Sequence, residues 1–511
     1  MENLVEKYLN KCNYNNLVND FKDTLLSHPN YPSLLSNTDS LSHLDIENIA
    51  VNIPLKYLSE LPNKFITELQ NENSKEFFLI EKNENEIIVE NSSTKKTKIN
   101  YEELEKKWTG NCLIIEENPN QNKNISSKFS KELYIFGLLS LISIISIYVN
   151  NFKFIQILQL IISLIGIVIS VEIVKTYFES NKEQKESKFC TLTKGFSCNS
   201  IINSNSKIFL KQLEFVDLPI CFFSFAFLLN ILNYPVSIII LLSFISFPLV
   251  IYSVYLQMFI LKKWCLLCLI VAFLLIANTS FFFIYSKGLG FSFSLTSFTS
   301  AFFLFTLVCL YWFSFKNSSI KYIEVKKQVN SLIRFKRNED IYNAISSEMK
   351  DFSNSINIPK ITIGNQNTQN TITIFLSPSC PHCHTAYKDA KDLILKYPDK
   401  IKLEIAYNLN INNTENPYSD IAKVIMKLRN NEGNFIDALD DWHIRRLNIE
   451  EWKMKWFTKN DFLKENEEID LQYRWCIKNE FNYAPVKIFN GKLLSQHYEI
   501  NELFYFFKEV N

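Results

Sequence analysis

Two shortages in this sequence exclude whole classes of protein. Its 54 basic and 53 acidic side chains leave a net charge of only +1, which gives no basis for nucleic-acid binding. Eleven cysteines in 511 residues are too few for a scaffold built from disulfides. The N-terminal stretch MENLVEKYLNKC is polar, so we expect no cleavable signal peptide there. The chain is also too long for a single core, and we expect about three structural units.

Apolar and aromatic residues are plentiful instead. Aromatic side chains make up 14% of the chain, with 43 phenylalanines, as is typical of helices that face lipid. Six apolar segments are candidate membrane spans: 133–149, 154–177, 217–232, 236–261, 264–285 and 294–315. Because a helix rises about 1.5 Å per residue, only the longer segments cross a hydrocarbon core of about 30 Å comfortably. Glu172 interrupts the second segment, and we expect it near the interface or paired with Lys175.

Six of the cysteines form three close pairs: Cys190 with Cys198, Cys265 with Cys268, and Cys380 with Cys383. Close pairs indicate redox or metal sites, whereas we expect the five scattered cysteines to be packing residues. Two apolar segments separate the first pair from the second, so both pairs emerge on the same membrane face if both segments span. Two dithiols at one boundary indicate an electron relay. Zinc binding by these four cysteines is an alternative, although pairs with such different spacings make an unusual zinc site.

The chain has a cysteine pair in a loop, then two predicted helices, and then a helix that carries C-x-x-C. Ser204 follows Cys198 by six residues. Over residues 154–315 this order resembles the vitamin K epoxide reductase family. The resemblance implies a four-helix bundle that holds a quinone, either ubiquinone or menaquinone. It also implies roles for the following residues: Cys265 and Cys268 as the quinone-side pair, Cys190 and Cys198 as the shuttle pair, and Ser204, Trp264 and Cys268 as quinone contacts.

The physical chemistry of these positions agrees with the implied roles. Residues i and i+3 share a helix face, so Cys265 and Cys268 approach each other near the first turn of their helix. The positive end of the helix dipole favours a thiolate there, and a thiolate can attack a disulfide or reduce a quinone. Ala272 stands where animal members of the family often carry a tyrosine. That departure bears on vitamin K and inhibitor handling, not on the thiol chemistry.

A second resemblance covers residues 365–511. A predicted strand at 371–376 leads into Cys380-Pro381-His382-Cys383 at the start of a helix, and a second strand follows at 401–407. A helical stretch with four tryptophans comes next, and then YAPVKIFNG predicts strand, tight turn and strand before a terminal helix. This order resembles the thioredoxin superfamily. The CPHC motif and the large helical insertion look like the periplasmic disulfide-donating members.

The thioredoxin resemblance implies roles for four residues. Cys380 is the nucleophile at the helix N-terminus, where amide dipoles favour a thiolate, and Cys383 is the less exposed resolving thiol. Pro485 matches the cis-proline beside the active site. His382 stabilises the thiolate and makes the disulfide more oxidising. We expect His384 to be solvated and the tryptophans to belong to the core.

About the first 115 residues resemble the papain-like peptidases that remove double-glycine leaders from exported peptides. The resemblance rests on HPNYPSLLSNTDSLSHLDIENIAVNIP and on predicted helices at 14–27 and 33–43 and strands at 77–81 and 86–90. Cys12 lacks the glutamine and glycine context of the family's nucleophile. Glu76-Phe77 stands where the family has its histidine, and Asn91 where it has its aspartate. A thiolate without an imidazole partner is a poor acyl-transfer nucleophile, so we expect an inactive docking or peptide-binding module with Cys12 buried.

We therefore predict a multidomain chain. An α-helical membrane bundle, with a four-helix core plus flanking helices, lies between an α+β papain-like N-terminal domain and an α/β thioredoxin-fold C-terminal domain. The predicted parts are a leader-peptidase-like domain at 1–118, a linker at 119–132, an extra apolar segment at 133–149, a vitamin K epoxide reductase-like domain at 150–316, a tether at 317–364 and a thioredoxin-fold domain at 365–511.

The predicted function is a quinone-dependent membrane thiol oxidase that generates disulfides. Electrons pass from substrate thiols to Cys380/Cys383, then to Cys190/Cys198, then to Cys265/Cys268, and finally to the quinone. The expected partners are membrane lipid, the quinone and cysteine-containing exported proteins or peptides. Two other functions stay open: an accessory role in leader-peptide processing or export, and a reductase or isomerase that runs electrons outward.

Disulfide formation belongs to oxidising compartments, so we expect a bacterial inner-membrane protein whose cysteine-bearing face is periplasmic. Six spans put both termini and all three cysteine pairs on one face. The lysines and arginines of 178–216 and Lys262-Lys263 instead favour the cytoplasm for that face by the positive-inside rule. Five spans, without 133–149, leave the N-terminal domain cytoplasmic and the cysteines periplasmic.

Overall fold

The computed structural model describes residues 1–70, 74–82, 86–91, 96–118, 128–183, 214, 216–260, 264–285, 294–353, 355–429, 432–457 and 461–508. These residues form two compact units, 1–331 and 332–511. The first unit contains an α+β region followed by apolar helices. The second contains a mixed sheet covered by helices.

The α+β region is an antiparallel sheet with helices packed against it. Its helices are α1 (Glu2–Lys11), α2 (Val18–Leu26), α3 (Leu34–His43) and α4 (Tyr101–Lys107). Its strands are β1 (Asn48–Asn52), β2 (Lys64–Gln70), β3 (Lys75–Lys82), β4 (Ile87–Glu90), β5 (Lys96–Ile99) and β6 (Trp108–Ile115), in the order β1-β6-β2-β3-β4-β5. Helix α3 begins after Ser33, whose hydroxyl oxygen accepts a bond of 3.1 Å from the Ser36 N–H. The predicted α+β class of this region is confirmed.

All six predicted apolar segments are helical. The helices are α5 (Lys128–Asn150), α6 (Phe154–Glu183), α7 (Asp217–Ile231), α8 (Val236–Tyr255), α9 (Leu266–Tyr285) and α10 (Leu295–Lys336), and a π-helical turn (Leu256–Ile260) extends α8. Among the described residues, three helices are long and apolar enough to cross a membrane, at Phe154–Glu179, Val236–Ile260 and Leu295–Lys336. The apolar parts of α5, α7 and α9 are shorter. Helix α10 continues 21 residues past the predicted end at 315, because the polar sequence that follows contains neither proline nor glycine.

Close packing joins the helices at the centre of this region. A methyl group placed on Gly166 of α6 would lie 2.1 Å from a ring carbon of Phe223 in α7, so only glycine lets these two helices approach so closely. The Glu172 carboxylate accepts a bond of 2.8 Å from the Lys175 ammonium group, as predicted. Deeper in the bundle, the Asn278 amide donates to the Ser243 hydroxyl at 3.2 Å.

The second unit is an α/β fold built on a five-stranded sheet. Its strands are β7 (Ile361–Ile363), β8 (Asn370–Leu376), β9 (Ile401–Tyr407), β10 (Val486–Phe489) and β11 (Lys492–Leu493), in the order β11-β10-β8-β9-β7. Strands β8 and β9 are parallel, and the other pairs are antiparallel. The helices are α11 (Glu339–Ser347), α12 (Pro381–Lys396), α13 (Ser419–Leu428), α14 (Glu432–His443), α15 (Ile449–Trp456) and α16 (Leu463–Lys478), followed by a 3-10 turn (Ile500–Phe506).

The tryptophans of the helical insertion belong to the core, as predicted. Trp442, Trp452 and Trp475 are buried, and Trp456 packs against the same apolar cluster as the first two. Trp475 stacks on Phe375 of β8 with 4.7 Å between the ring centroids. The insertion is therefore fixed to the sheet and to α12 by large aromatic side chains.

Candidate redox sites

The first cysteine pair lies at the start of α12. Cys380 is the N-cap residue and Pro381 occupies the first helical turn, where a missing N–H costs nothing. The Cys380 thiol donates a bond of 3.2 Å to the Ala484 carbonyl, and the Ala484–Pro485 peptide bond is cis, as predicted. Pro485 therefore lies directly beside the cysteine that we expect to be the nucleophile.

Cys380 and Cys383 differ in their access to solvent. Cys383 is fully buried, and its sulfur accepts a bond of 3.3 Å from the Ser377 N–H. Burial raises the pKa of the Cys383 thiol far above its ordinary value, and the Ser377 bond opposes that shift only in part. Cys380 keeps part of its surface exposed. An incoming thiolate thus meets Cys380 first.

His382 is exposed, as a residue between the two cysteines at a helix start should be. The expectation that His384 is solvated is wrong. Its Nδ1 lies 3.1 Å from Nδ1 of His443, because α14 of the insertion covers this face of α12. The Trp442 indole N–H also donates to the Pro378 carbonyl at 3.0 Å, which ties the insertion to the loop before Cys380.

The second pair lies where the π-helical turn passes into α9. Cys265 is fully buried, and the Leu269 N–H donates to its carbonyl at 3.1 Å, so it opens the first turn of the helix. The Cys265 N–H donates a bond of 2.9 Å to Oε1 of Gln257, whose side chain is buried in the π-helical turn. Cys268 follows one turn later, and its thiol interacts with that of Cys265.

An apolar cavity of about 310 Å³ lies beside Cys268. Its wall consists of residues from α6, α7, α8, α9 and α10 and includes the side chain of Cys268. Ala272, one turn further along α9, contributes only a methyl group to the wall. Two scattered cysteines, Cys221 and Cys309, also line the cavity, whereas Trp264 is not among the described residues that do so. The structure thus brings Cys268 to a ligand-sized space and leaves Trp264 outside it.

A buried ion pair that the sequence analysis missed contributes one of its residues to the wall of this cavity. Asp217, at the start of α7, lines the cavity and accepts bonds of 2.8 and 2.9 Å from the Lys316 ammonium group of α10. The Trp312 indole N–H donates to the same carboxylate at 2.8 Å, and so does the Glu214 N–H. A charge at the edge of each of two apolar segments is the only sequence signal for this contact, and the two residues are 99 positions apart.

Cys190, Cys198 and Ser204 lie outside the described residues, so their predicted roles stay predictions. Tyr177 of α6 and Val216, just before α7, belong to the same buried cluster as Cys265. Among the residues that the structure describes, no group of three or more His, Cys, Asp or Glu side chains could hold a metal ion.

Cys12 is buried in the α+β region at the end of α1, as expected. It lines a cavity of about 730 Å³ together with Tyr8 and Lys64, and the described residues around this cavity include no histidine. Burial, with a smaller contribution from the Glu117 carboxylate, raises the pKa of Cys12 to about 12. No described residue of this cavity offers Cys12 an imidazole partner, and the inactivity of the domain stays a prediction.

Family models match three consecutive parts of the chain. The Peptidase C39 family matches residues 7–120, the vitamin K epoxide reductase family matches residues 157–284, and a thioredoxin family matches residues 356–481. The predicted three-part architecture is therefore confirmed, with the parts in the predicted order. A comparison with curated proteins finds no match.

Several solved structures are similar to this chain. A periplasmic thioredoxin-like protein from Salmonella enterica serovar Typhimurium is 16% identical, covers 29% of this chain and 88% of its own, and gives a TM-score of 0.26. Oxidised BdbD from Bacillus subtilis is 12% identical, covers 28% of this chain and 89% of its own, and gives a TM-score of 0.23. The thiol-disulfide exchange protein α-DsbA2 from Wolbachia pipientis is 20% identical, covers 32% of this chain and 94% of its own, and gives a TM-score of 0.25. Scores this low carry no argument, so the fold assignment rests on the family models and the sheet order.

The family matches and the two described cysteine pairs define a class of protein. The chain is a thiol/disulfide oxidoreductase with a helical membrane region, a thioredoxin fold and a peptidase-like domain. Both described pairs start a helix, which is where a thiolate is stabilised best.

Proposed function

We propose that this protein is a quinone-dependent membrane thiol oxidase that generates disulfides. The observation that carries the proposal is the position of Cys268, which lines an apolar cavity while its partner Cys265 lies buried one turn earlier. This geometry suits a thiol pair that receives electrons on one side and releases them into an apolar site on the other.

The first step takes place at Cys380 and Cys383 in their disulfide state. A substrate thiolate attacks the Cys380 sulfur, the Cys380–Cys383 bond breaks, and Cys383 leaves as a thiolate that takes up a proton. A second substrate thiolate then attacks the mixed disulfide and releases Cys380. The substrate loses two electrons and two protons, and the Cys380/Cys383 pair gains them.

In the second step, the electrons pass through Cys190 and Cys198 to Cys265 and Cys268 by two further thiol–disulfide exchanges. Tyr177 and Val216, which flank the segment with the shuttle pair, belong to the same buried cluster as Cys265, and this supports the proposed transfer between the two pairs. Carrying the donor domain on the same chain raises its effective concentration for the acceptor.

In the third step, Cys265 and Cys268 become a disulfide again and reduce a quinone, ubiquinone or menaquinone. The residues of the cavity fit such a ligand. Its volume of about 310 Å³ lies in the range of about 300–1,000 Å³ typical of small-molecule sites, and its wall is apolar like a quinone ring and its tail. A bound quinone supplies an acceptor for two electrons and two protons. The net reaction converts a substrate dithiol and a quinone into a disulfide and a quinol.

Three further assignments belong to this proposal. The protein resides in a bacterial inner membrane, with the cysteine-bearing face towards the periplasm. Its clients are cysteine-containing exported proteins or peptides, which the peptidase-like domain recruits without cleaving them. The linker, bundle, tether and thioredoxin-fold boundaries are those predicted from the sequence, with α10 supplying the first part of the tether.

The central test is a quinone-dependent oxidation assay with the purified full-length protein, a soluble quinone analogue and a reduced dithiol peptide. Cys268→Ser should lower the rate at least about a hundredfold, because no second thiol remains to complete the disulfide at the cavity. Cys476→Ser is the matched control, since Cys476 is buried and belongs to no pair. An unchanged rate in Cys268→Ser would overturn the proposal.

The order of the relay is tested by trapping mixed disulfides. In Cys383→Ala, Cys380 has lost its resolving partner, so it should accumulate joined either to a client or to Cys190 or Cys198. Cellular protein in which the Cys380/Cys383 pair is mostly reduced, with quinone available, would favour a reductase that runs electrons outward. Cleavage of a double-glycine leader that is lost in Cys12→Ala would favour leader processing.

A further inference from the structure

Few of the described residues that line the cavity beside Cys268 have polar side chains. A quinone presents two carbonyl oxygens, and an oxygen buried without a hydrogen-bond donor costs free energy. Apart from thiols, the described residues of the wall include three polar side chains: Asp217, Ser246 and Ser253. The question is which of them has a hydrogen to give to a ligand.

Two of the three are already engaged. Both carboxylate oxygens of Asp217 accept bonds from the protein, at 2.8 Å from the Trp312 N–H and the Glu214 N–H and at 2.8 and 2.9 Å from Lys316. The Ser246 hydroxyl donates its hydrogen to the Ser243 carbonyl at 2.7 Å. Neither group therefore has a hydrogen available for a ligand.

Ser253 is oriented differently. Its hydroxyl oxygen accepts a bond of 3.3 Å from the Gln257 side-chain N–H, and within the described part of the chain no acceptor takes its own hydrogen. The Gln257 amide is held in this orientation, because its Oε1 accepts the Cys265 N–H at 2.9 Å and a rotation of the amide by 180° would break that bond. The amide thus presents N–H to Ser253, and the Ser253 hydrogen is left for the cavity.

We propose that Ser253 donates a hydrogen bond to a quinone carbonyl in this cavity and that Gln257 is a positioning residue for it. The inference rests on the proposed function, since it presumes a quinone as the ligand. A chain of hydrogen bonds then runs from the Cys265 N–H through Gln257 and Ser253 to the ligand oxygen. Because the same chain fixes the first turn of α9, it sets the ring against Cys268. The π-helical turn places Gln257 where it reaches both Ser253 and Cys265.

The test measures quinone binding apart from turnover. Full-length protein carrying Cys268→Ser is titrated with a short-chain ubiquinone analogue, and the infrared carbonyl band of the bound quinone is recorded. Adding Ser253→Ala should weaken binding about fivefold to tenfold and shift one carbonyl band to higher frequency, because a donor is lost. Ser253→Thr, which keeps a hydroxyl, should restore both. Ser246→Ala removes a hydroxyl from the same wall and should weaken binding less than about twofold.

A third variant separates positioning from general damage. Gln257→Leu should shift the same carbonyl band as Ser253→Ala, and combining the two substitutions should add little, because both act on one chain of hydrogen bonds. Equal binding and unshifted bands in Ser253→Ala would overturn the inference while leaving the quinone cavity in place. Failure of the Cys268→Ser parent to bind the analogue at all would instead overturn the proposed function.

Discussion

The two described C-x-x-C pairs have opposite arrangements. At the thioredoxin-fold pair, the first cysteine is partly exposed and the second is fully buried. At the membrane pair, the first cysteine, Cys265, is fully buried and the second, Cys268, lines the cavity. The spacing and the position at a helix start are the same, yet the accessible sulfur has changed place. The motif alone therefore does not decide which sulfur reacts; the elements packed around the helix do.

The surroundings explain the reversal. At the start of α12, Cys383 belongs to the same buried core cluster as Trp442 of the helical insertion, and the insertion also contacts His384 and the Pro378 carbonyl. Beside α9, the π-helical turn covers the start of the helix and buries Cys265 behind Gln257. The open side of the first pair faces water, as exchange with substrate thiols requires. The open side of the second faces an apolar space, which suits a lipid-soluble acceptor.

The largest expected change in the free energy of unfolding concerns two ion pairs, one in each of the two regions that contain a C-x-x-C pair. Lys316→Met leaves the Asp217 carboxylate buried without its counter-ion and should lower the free energy of unfolding of the bundle by about 3–5 kcal/mol. Lys391→Met removes the ammonium partner of Asp440 between α12 and α14, where the Lys391 side chain is only partly buried and the Tyr387 O–H still donates to the carboxylate, and should cost less, about 1–2 kcal/mol. Thermal unfolding of the full chain in detergent measures both.

The double variant Asp217→Leu/Lys316→Met is the control for this comparison. Because it removes both buried charges together and leaves without Lys316 only the Glu214 carboxylate, which is partly exposed, it should recover most of the lost stability. An equal effect of Lys316→Met and Lys391→Met would show that the Asp217–Lys316 pair is not shielded from water as its burial indicates.

The reversal of accessibility itself should appear in labelling rates. A water-soluble maleimide should modify Cys380 about a hundredfold faster than Cys383, and a lipid-soluble maleimide should modify Cys268 about a hundredfold faster than Cys265. A hundredfold difference corresponds to about 2.7 kcal/mol in activation free energy. Peptide mass spectrometry of reduced protein measures all four rates. Denatured protein, in which the rates should converge, is the control, and faster labelling of Cys265 than of Cys268 would contradict the comparison.

Local sequence patterns were sufficient for the thioredoxin-fold site. The CPHC motif at a helix start and the proline before a strand each depend on neighbouring residues, and the structure has both where they were predicted. The six apolar segments were likewise visible in the sequence, because burial in lipid or protein demands an unbroken apolar run. The three-part order of the chain followed from these patterns.

Contacts between distant parts of the chain were not predicted. No local signal links Asp217 to Lys316, because Lys316 only marks the polar end of an apolar segment and lies 99 positions away. Gln257 and Ser253 are ordinary residues of an apolar helix until the π-helical turn places them beside Cys265. The sequence around His384 predicts a solvated side chain, because nothing near it shows that α14 packs over it. Helix α1 was missed for the same reason: its apolar face is defined by the sheet that it covers.

A smaller effect should distinguish tight from loose packing in the helical region. Gly166→Ala forces a methyl group against Phe223 and should destabilise the bundle by about 1–3 kcal/mol. Gly137→Ala is the matched control, because nothing lies within 4 Å of the added methyl group, and it should be neutral or slightly stabilising. Thermal unfolding in detergent compares them, and similar behaviour of the two variants would contradict the close approach of α6 and α7.

The last prediction concerns the change in the free energy of unfolding per pH unit. It should distinguish the thioredoxin-fold pair from the membrane pair. Burial, together with the neighbouring His384, lowers the pKa of His443 from 6.5 to about 3. Below pH 6.5 the unfolded chain binds a proton that folded His443 does not. The stability due to neutral His443 is therefore complete above pH 6.5 and falls by up to about 1.4 kcal/mol per pH unit towards pH 3.

Urea unfolding of the full chain between pH 7 and pH 4, followed by tryptophan fluorescence, measures this slope. His443→Phe cannot bind a proton and should flatten it, whereas His497→Gln, at an exposed histidine, should leave it unchanged. Among the described residues that line the cavity beside Cys268 there is no histidine, so quinone binding by Cys268→Ser protein should stay constant over the same range. A slope that persists in His443→Phe would mean that another group on the aqueous side titrates. In that case the packing of α14 over α12 would not explain why the first pair alone responds to pH.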